Sequence, residues 1–316
     1  MPPHSVEAEA PAVDLRVSVG GVELATPLIL ASGTWGYGPE ALPYLDYSRV
    51  GALSPKGITR HPRAGNPEPR VRECNGGLLN SVGLENVGIE AFIADKLPLI
   101  RDYPTKRVVN FSGSSVEEFA EMAAMLAVAE GVDVLEANLS CPNVKAGGAA
   151  FGTDEGLVRE TTAAVRGASR GRPVWIKLSP NVTSISTMAR AARDTGADAV
   201  TVANSFLGLS FDTRTRRPVF ANVVSGYSGP AIKPMMLRLV YEVARELPGF
   251  PVVGLGGVME AEDAVEYFLA GACAFGVGTA ALVDPRCAGR IVDGLEAYCR
   301  SQGFERIRDL QGAIVR

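Results

Sequence analysis

Eight short apolar runs, separated by stretches that read as helices, constrain what this chain can fold into more than any other feature of its sequence. The runs are 27–32, 51–57, 107–113, 132–140, 174–179, 199–205, 251–257 and 274–279. Some, such as Val174-Trp175-Ile176, are apolar without a break, the pattern of a strand buried on both faces of a parallel sheet. Helices are expected over 116–130, 154–168, 185–195, 232–247 and 261–270, with Ser115 and Asp154 as N-caps. Eight βα units close into a (β/α)8 TIM barrel, which needs about 250 residues. The chain has 316 residues, and the excess falls in two long connections, 58–102 and 206–230. Ahead of the barrel, 15–24 reads as a short N-terminal β-hairpin turning at Gly20-Gly21. Residues 1–14 are small, acidic and Pro-containing, and read as a flexible tail. Nothing in 15–316 resembles a linker, so a single domain is expected there. A doubly wound sheet would typically carry G-x-G-x-x-G after its first strand, whereas here that strand ends Ala31-Ser32-Gly33.

Composition narrows the function. Lys and Arg number 31 against 35 Asp and Glu, a net charge of −4 with no basic run, which gives nucleic acid little to bind. No apolar stretch approaches the roughly 20 residues that cross a bilayer, and the N-terminus lacks the pattern of a signal peptide. The five cysteines, Cys74, Cys141, Cys273, Cys287 and Cys299, form no C-x-x-C pair. That usage fits a reducing cytoplasm better than a disulfide framework, and a metal site is not expected. With two histidines, His4 and His61, imidazole chemistry has little to work with.

The catalytic face of a (β/α)8 barrel lies at the C-terminal ends of its strands, and here every strand ends in polar residues or glycine. In order, the ends carry Ser32, Lys56-Gly57, Asn110, Asn138, Lys177, Asn204-Ser205, Gly256-Gly257 and Gly278-Thr279. A mouth so crowded with lysine and asparagine needs partners for them. The last two ends, each followed by a helix, match the phosphate seat of barrel enzymes. Lys177 sits in an apolar strand, where an unpaired cation is costly. It needs either a carboxylate or an anionic ligand, and Glu136 is the clearest acidic candidate. Cys141 opens the Gly-rich loop Cys141-Pro142-Asn143-Val144-Lys145-Ala146-Gly147-Gly148 at the same mouth, where a deprotonated thiol can act as base or nucleophile. Cys273, Cys287 and Cys299 read as packing residues.

These motifs together resemble the class 1 dihydroorotate dehydrogenases, and among them the catalytic subunit of class 1B. The carriers are Ala31-Ser32-Gly33-Thr34, Gly36-Tyr37-Gly38, Asn80-Ser81-Val82-Gly83-Leu84 and Asn138-Leu139-Ser140-Cys141-Pro142-Asn143-Val144-Lys145. Phe151-Gly152, Ser228-Gly229-Pro230-Ala231-Ile232-Lys233-Pro234 and Gly254-Leu255-Gly256-Gly257 complete them. The resemblance implies one FMN per subunit, contacted by Ser32, Lys56, Gly57, Asn110, Asn138, Lys177, Ala203, Gly229, Gly256, Gly257, Gly278 and Thr279. It implies a dihydroorotate site formed by Lys56, Asn80, Ser81, Val82, Gly83, Leu84, Asn138, Asn204 and Ser205, with Cys141 as catalytic base. The implied reaction, a step of pyrimidine biosynthesis, oxidises dihydroorotate to orotate. Cys141 takes the C5 proton while hydride leaves C6 for flavin N5, and Lys177 steadies charge at the N1–O2 edge. Class 1B further implies a homodimer core joined to a separate FAD and 2Fe-2S subunit as a heterotetramer, passing electrons to NAD. The alternatives are a class 1A homodimer using fumarate, a phosphate-binding barrel isomerase or lyase, and a non-catalytic flavin-binding subunit. Four positions depart from the family pattern: Ser225 before Gly226 for a usual Gly-Gly, Ala203 for a bulkier aliphatic, Ser205 for Thr, and Trp35 for Phe.

Overall fold

The computed structural model describes residues 13–140, 145–146 and 149–315. Eight parallel strands form a closed barrel: Leu28–Leu30, Ala52–Leu53, Lys106–Phe111, Val134–Asn138, Val174–Lys177, Ala199–Val202, Val252–Leu255 and Ala274–Val277. Neighbours in sequence are neighbours in the barrel, and the eighth closes on the first through Phe275 opposite Leu28. The interior strands are apolar because both of their faces are covered. Val134–Asn138 and Val174–Lys177, for instance, are buried at every position. Each of the eight expected runs overlaps one barrel strand and is longer than it, and Asn110, Asn138 and Lys177 remain in the ladder.

The helices follow the same logic. Val116–Val128, Glu155–Ala168, Ile185–Asp194, Lys233–Glu246 and Ala261–Leu269 match the expected segments, and Cys287–Gln302 closes the outer ring. Ser115 and Asp154 cap as expected, each side chain accepting a hydrogen bond from a backbone N–H of the first turn, those of Glu118 and Leu157. The N-terminal hairpin pairs Val17–Val19 with Val22–Leu24. Its turn residues Gly20 and Gly21 both have positive φ, 54° and 80°, as a two-residue hairpin turn requires. Gly20 lies against Asp198, just before the sixth strand, so the hairpin covers the N-terminal end of the barrel. Its apolar side chains are buried there.

The two long connections meet each other. Val71–Cys74 and Gly77–Asn80 from the first, with Phe206–Gly208 and Ser225–Ser228 from the second, build a four-stranded antiparallel sheet. This sheet stands at the C-terminal mouth, where it adds a wall to the opening.

Candidate active site

One cavity of about 700 Å³ opens at the C-terminal face, and it gathers nearly all of the expected site residues. Ser32, Lys56, Gly57, Asn110, Asn138, Lys177, Ala203, Asn204, Ser205, Gly256, Gly257, Gly278 and Thr279 line it from the strand ends, and Asn80 to Leu84 from the first connection. Gly229 is the exception. Its backbone (φ 114°) packs on Gly77, where a Cβ would come within 2.6 Å of the Cα. The neighbouring Ser228 lines the cavity instead, and accepts a hydrogen bond from the Thr279 hydroxyl at 2.9 Å. Cys141 lies outside the described residues. Ser140, immediately before it, is on the cavity wall.

Strand register explains the floor of the cavity. Lys177 stands opposite Asn138 on one side and Thr201 on the other, and Glu136 opposite Asn110. Lys177 is 5% exposed, and its ammonium donates to the Ser32 hydroxyl across the barrel at 3.3 Å. No carboxylate forms an ion pair with it among the described residues. Burial pushes its pKa below the ordinary lysine value, and the charge of Glu136 offsets part of that. Glu136 itself is occupied: Asn110 Nδ2 donates to one carboxylate oxygen and the Thr201 hydroxyl to the other, both at 2.6 Å. The two lysines therefore differ. Lys56 has the carboxylate partner that Lys177 lacks, an ion pair of 3.1 Å with Glu85, which Arg70 shares at 2.9 Å.

Glu85 and Arg70 were not expected at the site, nor was Asn181, whose amide donates to the Ser205 carbonyl at 3.2 Å and whose carbonyl accepts from Leu207 N–H at 3.0 Å. Glu85 directly follows the Asn80–Leu84 motif, which is the one signal that could have found it. The departures from the family pattern are absorbed locally. Trp35 is buried and donates its indole N–H to the Val277 carbonyl at 3.1 Å, and the Ser225 hydroxyl donates to the Gly208 carbonyl at 3.2 Å.

The segment Gly254-Leu255-Gly256-Gly257 shows why bare backbone is required at the seventh strand end. A Cβ on Gly254 would lie 2.2 Å from the Tyr267 ring, and Tyr267 in turn donates its hydroxyl to the Gly256 carbonyl at 2.6 Å. Gly257 has φ 75°, and a Cβ there would meet the Lys233 backbone at 2.9 Å. At the eighth strand end, by contrast, a Cβ on Gly278 would meet nothing closer than 3.6 Å. A side chain there would make ordinary contacts with Ala31 and Thr34. His61 lies away from these groups, on a separate cavity of about 530 Å³ with Thr59 and Ser112. Among the described residues no group of acidic, Cys or His side chains could hold a metal ion, and no helix is long and apolar enough to cross a membrane.

The family profile for dihydroorotate dehydrogenase matches residues 14–299. The chain is 47% identical over 302 residues to the protein named dihydroorotate dehydrogenase B (NAD(+)), catalytic subunit, of Geotalea uraniireducens, covering 96% of this chain and 98% of that one. It is 48% identical to the protein of the same name from Trichlorobacter lovleyi, over 95% of this chain and 98% of the other. In fold it is similar to the dihydroorotate dehydrogenase of Eimeria tenella in its crystal structure with ferulenol. The TM-score is 0.79 at 21% sequence identity, over 98% of this chain and 90% of that one. A closed barrel with its polar strand ends gathered on one cavity, and a family match that spans almost the whole of it, lead to one assignment: the chain belongs to the dihydroorotate dehydrogenase family.

Proposed function

We propose that this chain is the FMN-binding catalytic subunit of an NAD-linked dihydroorotate dehydrogenase, oxidising dihydroorotate to orotate in pyrimidine biosynthesis. The observation that carries the reading is Lys177, a buried cation without an ion-pair partner among the described residues, on a cavity lined by six asparagines and a set of serine and threonine hydroxyls. Such a lysine is costly unless a ligand takes its charge. The residues fit FMN on two further counts: the close-packed glycine turn at 256–257 suits a phosphate group, and the cavity, at about 700 Å³, has the size of a cofactor site. When bound, FMN supplies the hydride acceptor.

The chain's own residues do the rest. Asn80, Asn138 and Asn204 offer amide donors and acceptors that match a cyclic ureide. Lys56, steadied by Glu85, supplies positive charge for a substrate carboxylate. Lys177 holds a cation at the cavity floor, where it stabilises negative charge as the ring is reduced. Cys141 takes the C5 proton. The relatives' names, which specify B, NAD(+) and a catalytic subunit, support electron transfer through a partner subunit carrying FAD and a 2Fe-2S centre, around a homodimer core, rather than to fumarate. Four unpaired cysteines among the described residues support a reducing, cytoplasmic setting.

The direct test is an anaerobic absorbance spectrum before and after adding dihydroorotate. Flavin bands that bleach are the expected result, and bands that persist would mean a different substrate. Gly257→Ala is a second probe. Its positive φ and the contact with Lys233 predict a cost of about 1–3 kcal/mol in stability, read by thermal unfolding, together with loss of flavin on dilution. An alanine variant that melts and holds flavin like the parent would show that this turn does not need glycine.

A further inference from the structure

The side of the cavity formed by Val82, Gly83 and Leu84 is a turn with an asparagine bonded to each of its ends. On the entering side, Asn66 N–H donates to the Val82 carbonyl at 2.9 Å, and Asn66 Nδ2 to the Ser81 carbonyl and hydroxyl, both at 3.0 Å. Gly83 and Leu84 then both take positive φ, 78° and 54°. Glycine adopts this left-handed region freely. For a leucine it costs a factor of about 5–30 in population. The backbone of residues 83–85 makes one hydrogen bond among the described residues. Asn86 supplies it, donating from Nδ2 to the Leu84 carbonyl at 2.7 Å. Asn86 itself has no freedom to turn. It is buried, and its Oδ1 accepts from the N–H groups of Gly88 at 2.8 Å and Thr59 at 3.2 Å. A peptide N–H only donates, so that end of the amide must be oxygen. The other end therefore carries both donors, one for Leu84 and one for the Thr59 hydroxyl at 2.7 Å. Thr59 donates its own proton to the His61 carbonyl at 2.7 Å. The Asn86 backbone pairs with Arg63 in both directions, at 2.9 and 3.0 Å, which ties it to the chain leaving the second barrel strand.

We infer that Asn86, which lines neither cavity, is a positioning residue for the substrate. Its amide holds Leu84 in the left-handed conformation and so fixes the turn that walls the ligand site. This rests on the dihydroorotate reading above, which makes the turn a substrate contact. The N–H groups of Val82, Gly83 and Leu84 have no hydrogen-bond partner among the described residues, so the turn has backbone donors to spare for a ligand. Their placement depends on the backbone angles of Gly83 and Leu84. Gly83 keeps its angle at no cost, whereas Leu84 needs the amide.

The test is a set of substitutions in the flavin-loaded protein, read by titration with orotate, the product, through its perturbation of the flavin spectrum. Asn86→Ser is neutral and keeps an oxygen that can accept from Gly88 N–H, but it loses the arm to Leu84. Orotate affinity is expected to fall about 5–30-fold, the population factor of the unsupported turn. The Michaelis constant for dihydroorotate should rise in parallel while kcat stays within about 3-fold of the parent value, because the turn meets ground state and transition state alike. In the Leu84→Gly background the left-handed turn costs nothing, so N86S should there weaken orotate by less than about 3-fold. Thr59→Val removes the other partner of Nδ2 and leaves the bond to Leu84. It should lower the melting temperature with orotate affinity within about 2-fold of the parent. Should N86S not fold, Asn86→Asp keeps both bonds to Oδ1 and loses the donor to Leu84. It is read in the same two backgrounds, which share its added charge. A merely structural asparagine predicts a lower melting temperature with parental orotate affinity, and that result overturns the proposal. So does an equal loss of affinity in both backgrounds, or a loss in T59V as large as in N86S. If the parent's spectrum does not respond to orotate or dihydroorotate at all, the substrate reading fails and the proposal with it. If the parent responds and N86S responds equally, only the proposal fails.

Discussion

Replacing Lys177 by methionine is expected to slow reduction of the flavin by dihydroorotate about 10²–10³-fold, the usual cost of removing one preorganised electrostatic group from a buried site. The same change should make the flavin-free protein more stable. Both effects have one origin. Lys177 is 5% exposed, with the Ser32 hydroxyl as its hydrogen-bond partner and Glu136 acting on it only at longer range. Burial lowers its folded pKa below the 10.5 of an ordinary lysine. Below that lowered value both the folded and the unfolded chain are protonated, and folding bears the whole cost of burying the charge. As pH rises from there towards 10.5, the folded protein releases its proton first and the cost shrinks. Methionine has a similar length and no charge, so its stability advantage should be largest on the acid side of that window and fade towards pH 10.5. Thermal unfolding across this range reads the stability, and stopped-flow reduction reads the chemistry. A methionine variant that reduces its flavin at the parental rate would remove Lys177 from the mechanism. One less stable than the parent at every pH would mean that the lysine holds the fold rather than serving the ligand.

The barrel could be read from the sequence because its strands are short and covered on both sides. That burial writes an almost unbroken apolar run that ends abruptly at the polar mouth, as in Val174-Trp175-Ile176-Lys177. The strand ends carried the site for the same reason: a polar residue at the end of such a run has nowhere to point but the mouth. The sheet built from the two long connections was not legible. Its strands have exposed or half-buried faces, so alternation is weak. Its key pairing, Tyr227 opposite Leu79, joins segments about 150 residues apart, which no local pattern encodes. One cue was present and passed over: Asn75-Gly76 between Val71–Cys74 and Gly77–Asn80 is a strong two-residue hairpin signal. That Lys56 has a carboxylate partner was not legible either, because Glu85 comes from a loop and reaches across to it. Gly229 shows a similar limit. The sequence marks a glycine, but whether the open side faces a ligand or, as here, another backbone is decided by the tertiary fold.

Changing Cys141 to alanine is expected to slow the reductive half-reaction about 10²–10⁴-fold, the contribution of a well-placed general base, with flavin content unchanged. The assignment of the base rests on the motif, and the titratable groups described around the cavity leave room for it. No histidine lines the cavity among the described residues, its lysines and Glu85 are held by the contacts above, and Glu68 pairs with Arg70 at 3.2 Å. The other thiols stand apart from the cavity. Burial pushes Cys273 up to about 12 and Cys287 up to about 11, and raises Cys299 in the same way. Cys74 is half-buried and is not on the cavity wall. A rate that climbs with pH and levels off near an ordinary thiol pKa of about 8.5 would therefore belong to Cys141 and to none of these. Serine at this position keeps the size but is a far weaker acid, so C141S should remain slow and lose the rise through that range. Iodoacetamide should inactivate the parent with the same pH dependence, and orotate should protect it. A C141A protein with parental kinetics, or a parent whose rate is flat from pH 6 to 10 while chemistry is limiting, would exclude the thiolate. The proton would then have to pass to another group at the rim.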